Sequence, residues 1–252
     1  MKLIFRVMVG VVILGITATY MISSGKWQDS VLDPISYTLG HEAADAVDTN
    51  VRDGLKAGEQ FVADAQNASV TDLIDQLGTI ELPSAERHPK YDREMFGDGW
   101  QFNTVDGCST RETVLIRDLE QVVMRDDRKC KVLSGVLVDD PYSGKTINFN
   151  SVENPMTVQI DHIVPLSVAW QMGAWEWDSN TRVQFANDLD NLIAADGPTN
   201  GSKGDRTPER WMPKSESFHC EYAASYTAIT SKYNLAMEQP VREKLTAVLE
   251  QC

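Results

Sequence analysis

The chain has 252 residues, enough for one or two domains and for a sizeable hydrophobic core. Hydrophobic residues make up 42% of the chain and charged residues 24%, values that exclude wholesale disorder and collagen-like repeats. The 37 acidic residues outweigh the 23 lysines and arginines and give a net charge of −14. This balance excludes binding of nucleic acid by bulk positive charge, but not an enzyme whose site carries its own cation.

The first 25 residues have the layout of a secretory signal peptide or a short signal anchor. Lys2 and Arg6 precede an apolar run over residues 7–22, which is shorter than the ~20 residues that cross a bilayer comfortably. Small residues at 23–25 follow and suit cleavage. Basic residues before the run and acidic residues after it predict that the rest of the chain lies outside the cytoplasm. We expect a secreted protein, or one anchored at the cell surface only through residues 1–25.

The segment 26–85 is predicted to be an acidic, partly helical stalk or linker. Its apolar residues are mostly small and recur at loose helical spacing, with glycines between them. The most convincing helix covers residues 71–77, with Ser69 or Thr71 as its N-cap. We expect the folded domain to occupy residues 86–252.

The composition changes at about residue 86, where most tryptophans and all four cysteines follow. Helices are predicted over residues 113–124, 181–189, 220–233 and 240–251. Strands are predicted over residues 132–138, 145–149, 156–162 and 191–195. A turn at residues 139–144 joins the first two strands. The pattern predicts a domain of the α+β class.

The cysteines agree with export. They are Cys108, Cys130, Cys220 and Cys252, and none forms a Cys-x-x-Cys pair of the kind that binds zinc. An even number of cysteines in an exported chain predicts two disulfides, for which three connectivities exist. We favour Cys108–Cys130 and Cys220–Cys252 because each pair closes a local loop, with four reduced and buried thiols as the alternative.

One group of residues has the chemistry of a catalytic site. Asp161 and His162 end a strand, Asn191 opens the next strand, and Asn200 and Lys203 lie in a short helix that we expect to follow. Neighbouring residues of a strand face opposite ways, so the first two side chains serve one atom only if the strand bends there. A carboxylate and an amide oxygen suit Mg²⁺ or Mn²⁺ better than zinc.

Part of this group is similar to the ββα-metal motif of HNH, or His-Me finger, endonucleases: residues 161–165 (Asp-His-Ile-Val-Pro), Asn191 and residues 200–203. The wider chain resembles an exported HNH family related to the C-terminal nuclease domain of the GmrSD restriction system. The resemblance covers residues 86–252. The 29 positions from His162 to Asn191 (191 − 162) contain an insertion that is common in this family. Further short segments resemble this family and occur in the same order, at residues 91–100, 108–113, 117–119, 140–145, 161–170, 173–175, 185–188, 211–213 and 220–223.

The resemblance implies a ββα-metal core with added helices and a small antiparallel sheet. It also implies a metal-dependent endonuclease that hydrolyses DNA or RNA and leaves 5′-phosphate and 3′-hydroxyl ends. His162 would be the general base, and Asp161 and Asn200 would hold one Mg²⁺ or Mn²⁺ ion. Asn191 would orient the base, and Lys203 would contact the substrate phosphate.

The sequence leaves open further phosphate contacts, the role of His162 and the function of the protein. Arg206 and Arg111 are additional candidates for contacts to the phosphate. The alternative for His162 is a structural role, as a half-buried histidine whose hydrogen bonds are satisfied by its neighbours. The functional alternatives are a catalytically silent surface or binding protein on the same scaffold, and an exported toxin nuclease. No oligomerisation motif is evident, so we expect a monomer.

Overall fold

The computed structural model describes residues 69–102, 107–128 and 130–252. The predicted leader and most of the predicted linker lie outside these ranges. Helices and small antiparallel sheets alternate along the described chain, which confirms the α+β class. None of the helices in these ranges has the length and apolar character needed to cross a membrane.

The described elements follow in chain order. The helices are α1 (Val70–Thr79), α2 (Thr110–Asp118), α3 (Leu166–Gln171), α4 (Ser179–Ala186), α5 (Gly197–Lys203), α6 (His219–Lys232) and α7 (Gln239–Leu249). The strands are β1 (Glu120–Met124), β2 (Val132–Leu137), β3 (Ile147–Asn150), β4 (Val158–His162) and β5 (Leu192–Asp196). Short 3₁₀ turns cover Arg93–Phe96, Ala174–Glu176, Leu189–Asn191 and Glu216–Phe218.

The strands form two separate sheets. β1, β2 and β3 make an antiparallel sheet in that order, and β4 pairs with β5 in an antiparallel two-stranded sheet. In the second sheet Asp161 lies opposite Ile193, and His162 lies opposite Leu192. The β4–β5 pair therefore stays regular up to the last residue of β4.

The β4–β5 pair lies between two hydrophobic cores, and alternation along β5 supplies both of them. Leu192 and Ala194 belong to a core with α2 and the three-stranded sheet. Ile193 and Ala195 face a larger core that includes residues of α1, α3, α6 and α7. Since successive strand residues point to opposite faces, both faces of this pair are covered and its strand ends are held in place.

Helix α5 begins directly after β5. The Asp196 side chain caps it by accepting a hydrogen bond from the backbone N–H of Thr199 at 3.0 Å. A Cβ at Gly197 would lie 2.0 Å from the carbonyl oxygen of Met156, so only glycine allows the helix to start this close to β4. The predicted helix around Asn200 therefore begins three residues earlier than that residue, at Gly197.

The packed domain extends further towards the N-terminus than the sequence analysis predicted. Helix α1 was assigned to the linker, yet Leu73 and Leu77 are buried in the same core as α6 and α7. The Gln76 side chain also donates a hydrogen bond to Ser231 of α6 at 3.0 Å. Ser69 caps α1 through a reciprocal capping box, as one of the two predicted caps. The domain includes these residues because α6 and α7 leave an apolar face that α1 covers.

The predicted helix over residues 113–124 is correct only in its first half. Helix α2 ends at Asp118, Leu119 is extended, and residues 120–124 form β1 instead. Pairing with β2, in which Glu120 lies opposite Val136, overrides the helical spacing of the apolar residues in this segment.

Both predicted disulfides are confirmed. Cys108–Cys130 joins the residues just before α2 to the connection between β1 and β2. Cys220–Cys252 joins the first turn of α6 to the last residue of the chain. No free cysteine is present in the described ranges.

Candidate active site

The carboxylate of Asp161 lies in a buried polar cluster. Its Oδ2 accepts hydrogen bonds from the Lys203 ammonium and from the Tyr142 hydroxyl, each at 2.6 Å. Lys203 Nζ also donates to the main-chain oxygen of His162 at 2.7 Å. Lys203 and Tyr142 are both 0% exposed. The end of β4 is thus bonded to α5 and to the turn between β2 and β3.

Burial dominates the electrostatics of this cluster. It lowers the pKa of Lys203, and the charge and hydrogen bond of Asp161 oppose that change. The pKa of Tyr142 is raised well above its usual range, first by burial and then by the nearby carboxylate. The tyrosine hydroxyl is therefore a hydrogen-bond donor to the carboxylate and not a competing anion.

The position of Lys203 differs from the predicted one. The sequence predicts its ammonium at the substrate phosphate, whereas in the structure the ammonium lies at Asp161 and is 0% exposed. An ammonium without exposed surface does not reach a substrate outside the domain. Its contacts fit the role of holding the carboxylate and the strand end.

The imidazole of His162 is oriented by a main-chain carbonyl. Nε2 lies 2.9 Å from the oxygen of Ala186, at the end of α4. Because a carbonyl oxygen only accepts, Nε2 carries the proton, and in the neutral ring Nδ1 has the free lone pair. Burial is the main cause that lowers the pKa of His162 to about 4. The ring is therefore neutral near pH 7, with a proton acceptor at Nδ1.

An aromatic ring covers this imidazole. Trp100 stacks on His162 with ring centroids 5.8 Å apart and planes inclined by 12°. The loop that carries Trp100 is attached to the end of α4, since the N–H of Gln101 donates to Asn187 Oδ1 at 2.8 Å. The end of α4 thus supports the ring twice, through Ala186 and through this loop.

Asp161 and His162 point to opposite faces of β4. The carboxylate faces α5, where Lys203 binds it, and the imidazole faces Trp100 and the end of α4. The strand does not bend between them, because the pairing with β5 continues regularly through both residues. The two groups are linked through Lys203, which bonds the carboxylate and the His162 carbonyl.

The two predicted asparagines have different surroundings. Asn191 is 0% exposed, and its amide bonds both polar atoms of one backbone position: Oδ1 accepts from Val164 N at 2.8 Å and Nδ2 donates to Val164 O at 3.2 Å. It therefore fixes the loop that follows β4. Asn200 is partly exposed and donates from Nδ2 to Gln159 Oε1 at 3.0 Å. Gln159 lies on the same face of β4 as Asp161.

Two oxygen atoms on the α5 side of β4 are of the type that a hard divalent cation binds. Asp161 Oδ1 and Asn200 Oδ1 accept no hydrogen bond within the described ranges, although the other polar atoms of both side chains are bonded. The described residues contain no cluster of three or more His, Cys, Asp or Glu suited to a metal. One carboxylate and one amide oxygen, completed by water, is the sparse type of set that Mg²⁺ accepts.

The two further arginine candidates differ in whether their charge is available to contact a substrate phosphate. Arg111 donates to Glu112 at 2.9 Å, and its guanidinium lies over the Phe149 ring at 6.0 Å from the centroid. Its charge is therefore committed to the core around α2 and the three-stranded sheet. Arg206 is exposed and donates to the carbonyls of Ser202 and Lys203 at the end of α5, so it lies at the surface near the cluster.

The sequence alone indicates no site role for Tyr142, Trp100 or Gln159. Two of them lie in segments that resemble the exported HNH family: Trp100 in residues 91–100 and Tyr142 in residues 140–145. Spacing did not connect them to the site because their partners are distant in sequence. Tyr142, for instance, bonds a carboxylate that is 19 residues away.

Comparisons with known proteins identify the family. The family described as GmrSD restriction endonucleases, C-terminal domain, matches residues 109–248. An uncharacterized secreted protein of Arthroderma benhamiae is 39% identical over 165 residues, which span 64% of this chain and 76% of the relative. No solved structure matches the chain. Since the family match covers more than half of the chain and includes the whole β4–β5–α5 region, the chain belongs to the family of GmrSD restriction endonuclease C-terminal domains, a nuclease-related family.

Proposed function

We propose that the protein is an exported, metal-dependent HNH-type endonuclease that hydrolyses phosphodiester bonds of DNA or RNA. The observation that carries the proposal is the state of His162: a neutral imidazole whose Nε2 is bonded to a carbonyl and whose Nδ1 is left as the proton acceptor. His162 is the last residue of β4, and the residue before it, Asp161, supplies the carboxylate. Membership in a restriction endonuclease family supports the same assignment.

The chain's own residues would act as follows. Nδ1 of His162 takes a proton from a water molecule as the water oxygen forms a bond to phosphorus. The bond from phosphorus to the 3′-oxygen breaks, and that oxygen then takes a proton from solvent. The products carry a 5′-phosphate and a 3′-hydroxyl. Trp100 and the Ala186 carbonyl keep the imidazole in one orientation during this step.

Asp161 and Asn200 are the residues that would hold one Mg²⁺ or Mn²⁺ ion, each through its Oδ1 atom. This ion would lie on the face of β4 opposite to the His162 ring, so the proposal requires the phosphodiester to meet both groups beyond the end of the strand. When bound, such an ion stabilises negative charge on the phosphate oxygens and the leaving oxygen in the transition state. Lys203 and Tyr142 act on Asp161, because their two hydrogen bonds leave only one carboxylate oxygen available and fix its direction. Asn191 acts on the loop after His162.

Export is supported by two features besides the predicted leader. The described cysteines form two disulfides, which persist in oxidising compartments and are rare in the cytosol. The relative from Arthroderma benhamiae is named as a secreted protein. An exported nuclease meets nucleic acid outside the cell, where its net charge of −14 limits non-specific binding to nucleic acid.

The test uses the full chain, produced with its disulfides intact, and supercoiled plasmid DNA or a long RNA. We expect cleavage with Mg²⁺ or Mn²⁺, none with EDTA, and products that a ligase joins without prior phosphorylation. His162→Ala should lower the rate by about 10²–10⁴-fold. His219→Ala is the matched control, because His219 Nε2 also lies at a main-chain carbonyl, that of Pro213, at 2.8 Å.

Each outcome of this test decides between functions. Intact DNA and RNA under every metal would favour the catalytically silent binding protein on the same scaffold. Equal cleavage by His162→Ala would refute the assignment of the base. Cleavage that a co-produced inhibitor protein suppresses would favour the toxin nuclease, which uses the same chemistry.

A further inference from the structure

Phe102 is the one exposed aromatic residue of the ranges that the structure describes. It is 73% exposed, the highest value among the exposed large hydrophobic residues in these ranges. The tryptophans, the tyrosines and the other phenylalanines of the same part of the chain are buried or half-buried. Because single exposed apolar side chains are ordinary on protein surfaces, the position of Phe102 must decide whether it has a function.

Phe102 lies in the same short segment as the ring that covers the proposed base. Trp100 stacks on His162 with ring centroids 5.8 Å apart. Two residues of extended chain span at most about 7 Å, so the Cα atoms of Phe102 and Trp100 lie within that distance of each other. Successive nucleotides of a stacked strand are about 3.4 Å apart, so a strand with a phosphate at His162 reaches the region of Phe102 within a few nucleotides.

The backbone on either side of the exposed ring is held by the fold. The N–H of Gln101 donates to Asn187 Oδ1 at 2.8 Å, and the Gln101 carbonyl accepts from Thr110 N at 2.8 Å and from Thr110 Oγ1 at 3.2 Å. Phe102 itself forms an antiparallel bridge with Ser109. The fold thus fixes the backbone at Phe102 without burying its ring, and a fixed backbone lowers the entropy cost of binding a ligand there.

We propose that Phe102 stacks on an unpaired base of the strand whose phosphodiester lies at His162. This proposal rests on the proposed nuclease function and narrows its substrate class to single strands and to duplexes with unpaired bases, because a paired base inside a duplex is already stacked on both faces. Every base has a π-face, so the contact tolerates any sequence. It also adds affinity without positive charge, in a chain whose net charge is −14.

The experiment measures binding of a fluorescent single-stranded oligonucleotide to the full chain in EDTA, so that no cleavage takes place. Phe102→Ala should weaken the affinity by about 5- to 150-fold, the usual contribution of one stacked base. Phe102→Trp should keep the affinity, and Phe102→Leu should not, because leucine is apolar but has no ring. Val152→Ala is the matched control and should bind like wild type, since Val152 is an apolar residue of the β3–β4 connection that is 64% exposed.

Two further probes separate base stacking from other contacts. An abasic strand of the same length keeps every phosphate and offers no base, so Phe102→Ala should bind it as wild type does. A duplex of the same sequence offers paired bases, and Phe102→Ala should lose little affinity for it. Thermal unfolding of each variant checks that the segment around Phe102 remains folded, and a parallel cleavage assay with Mg²⁺ or Mn²⁺ tests the nuclease function itself.

The outcomes distinguish this proposal from the nuclease function. A wild-type chain that binds and cleaves nucleic acid, with Phe102→Ala unchanged on the single strand, would overturn this proposal alone. An equal loss of affinity for the abasic strand would also overturn it, because the ring would then not act through a base. If Phe102→Ala converts a dimer into a monomer and leaves strand binding unchanged, the ring is a protein contact and the proposal fails. A wild-type chain that neither binds nor cleaves nucleic acid would overturn the nuclease function as well.

Discussion

Replacement of Lys203 by methionine tests the buried pair on which the site depends. The Lys203 side chain is 0% exposed, that of Asp161 is 11% exposed, and their charged atoms lie 2.6 Å apart. Methionine has a similar length and no charge, so it leaves the carboxylate buried with Tyr142 as its remaining donor. Removal of one partner of a buried ion pair costs about 3–5 kcal/mol of unfolding free energy.

In a domain of this size, 1 kcal/mol corresponds to about 2–4 °C in Tm, so Lys203→Met should lower Tm by about 6–20 °C. Urea unfolding followed by fluorescence gives the free energy, and calorimetry gives the Tm. Lys145→Met is the matched control, because Lys145 is exposed and a surface replacement of this kind changes stability by about 0.5 kcal/mol or less.

A double variant separates the ion pair from side-chain packing. Asp161→Asn in the Lys203→Met background removes the uncompensated charge, so the double variant should be more stable than Lys203→Met alone. The coupling energy should be about 0.5–3 kcal/mol, as for residues in direct contact. A loss below 1 kcal/mol for Lys203→Met, with additive effects in the double variant, would contradict the buried pair and the positioning role derived from it.

Three further predictions concern the scaffold of the site. Asn191→Ala leaves the N–H and C=O of Val164 without partners and should destabilise the domain by about 2–4 kcal/mol in urea unfolding; a loss under 1 kcal/mol would be inconsistent with these bonds. Ser69→Ala removes the capping box of α1 and should cost about 1 kcal/mol in the same assay. Peptide mapping of the unreduced protein should recover both disulfides, and reduction of each should cost about 3–4 kcal/mol, whereas free thiols would refute the pairing.

The features that the sequence predicted correctly depend on local signals. Ser69 and Asp72 form the capping box of α1 within four consecutive residues. The strands β4 and β5 follow from short alternating apolar runs, and the turn between β2 and β3 follows from its Asp-Pro-Tyr-Ser-Gly sequence. Each disulfide closes a loop of limited length, so proximity in sequence was a sound guide to the pairing.

The features that the sequence analysis missed depend on contacts between distant residues. Residues 120–124 have a helical apolar pattern and become a strand only because β2 is present to pair with them. Helix α1 had the pattern of an amphipathic linker helix, and only the apolar face left by α6 and α7 makes it part of the core. Lys203 is 42 residues from Asp161, so the spacing that placed it one turn from Asn200 could not indicate which side of α5 is buried.

The opposite orientation of Asp161 and His162 leaves the carboxylate and the imidazole on separate faces of a strand that does not bend. A carboxylate in contact with the imidazole would favour the charged ring and raise the pKa of His162, which would remove the proton acceptor near pH 7. The alternation of β4 prevents this contact, since it turns Asp161 towards Lys203 and Tyr142 and leaves His162 with a carbonyl and an aromatic ring. The Asp-His sequence at the end of a regular strand therefore gives two neighbouring residues different contacts: an ion pair for the proposed metal ligand, and a carbonyl and an aromatic ring for the proposed base.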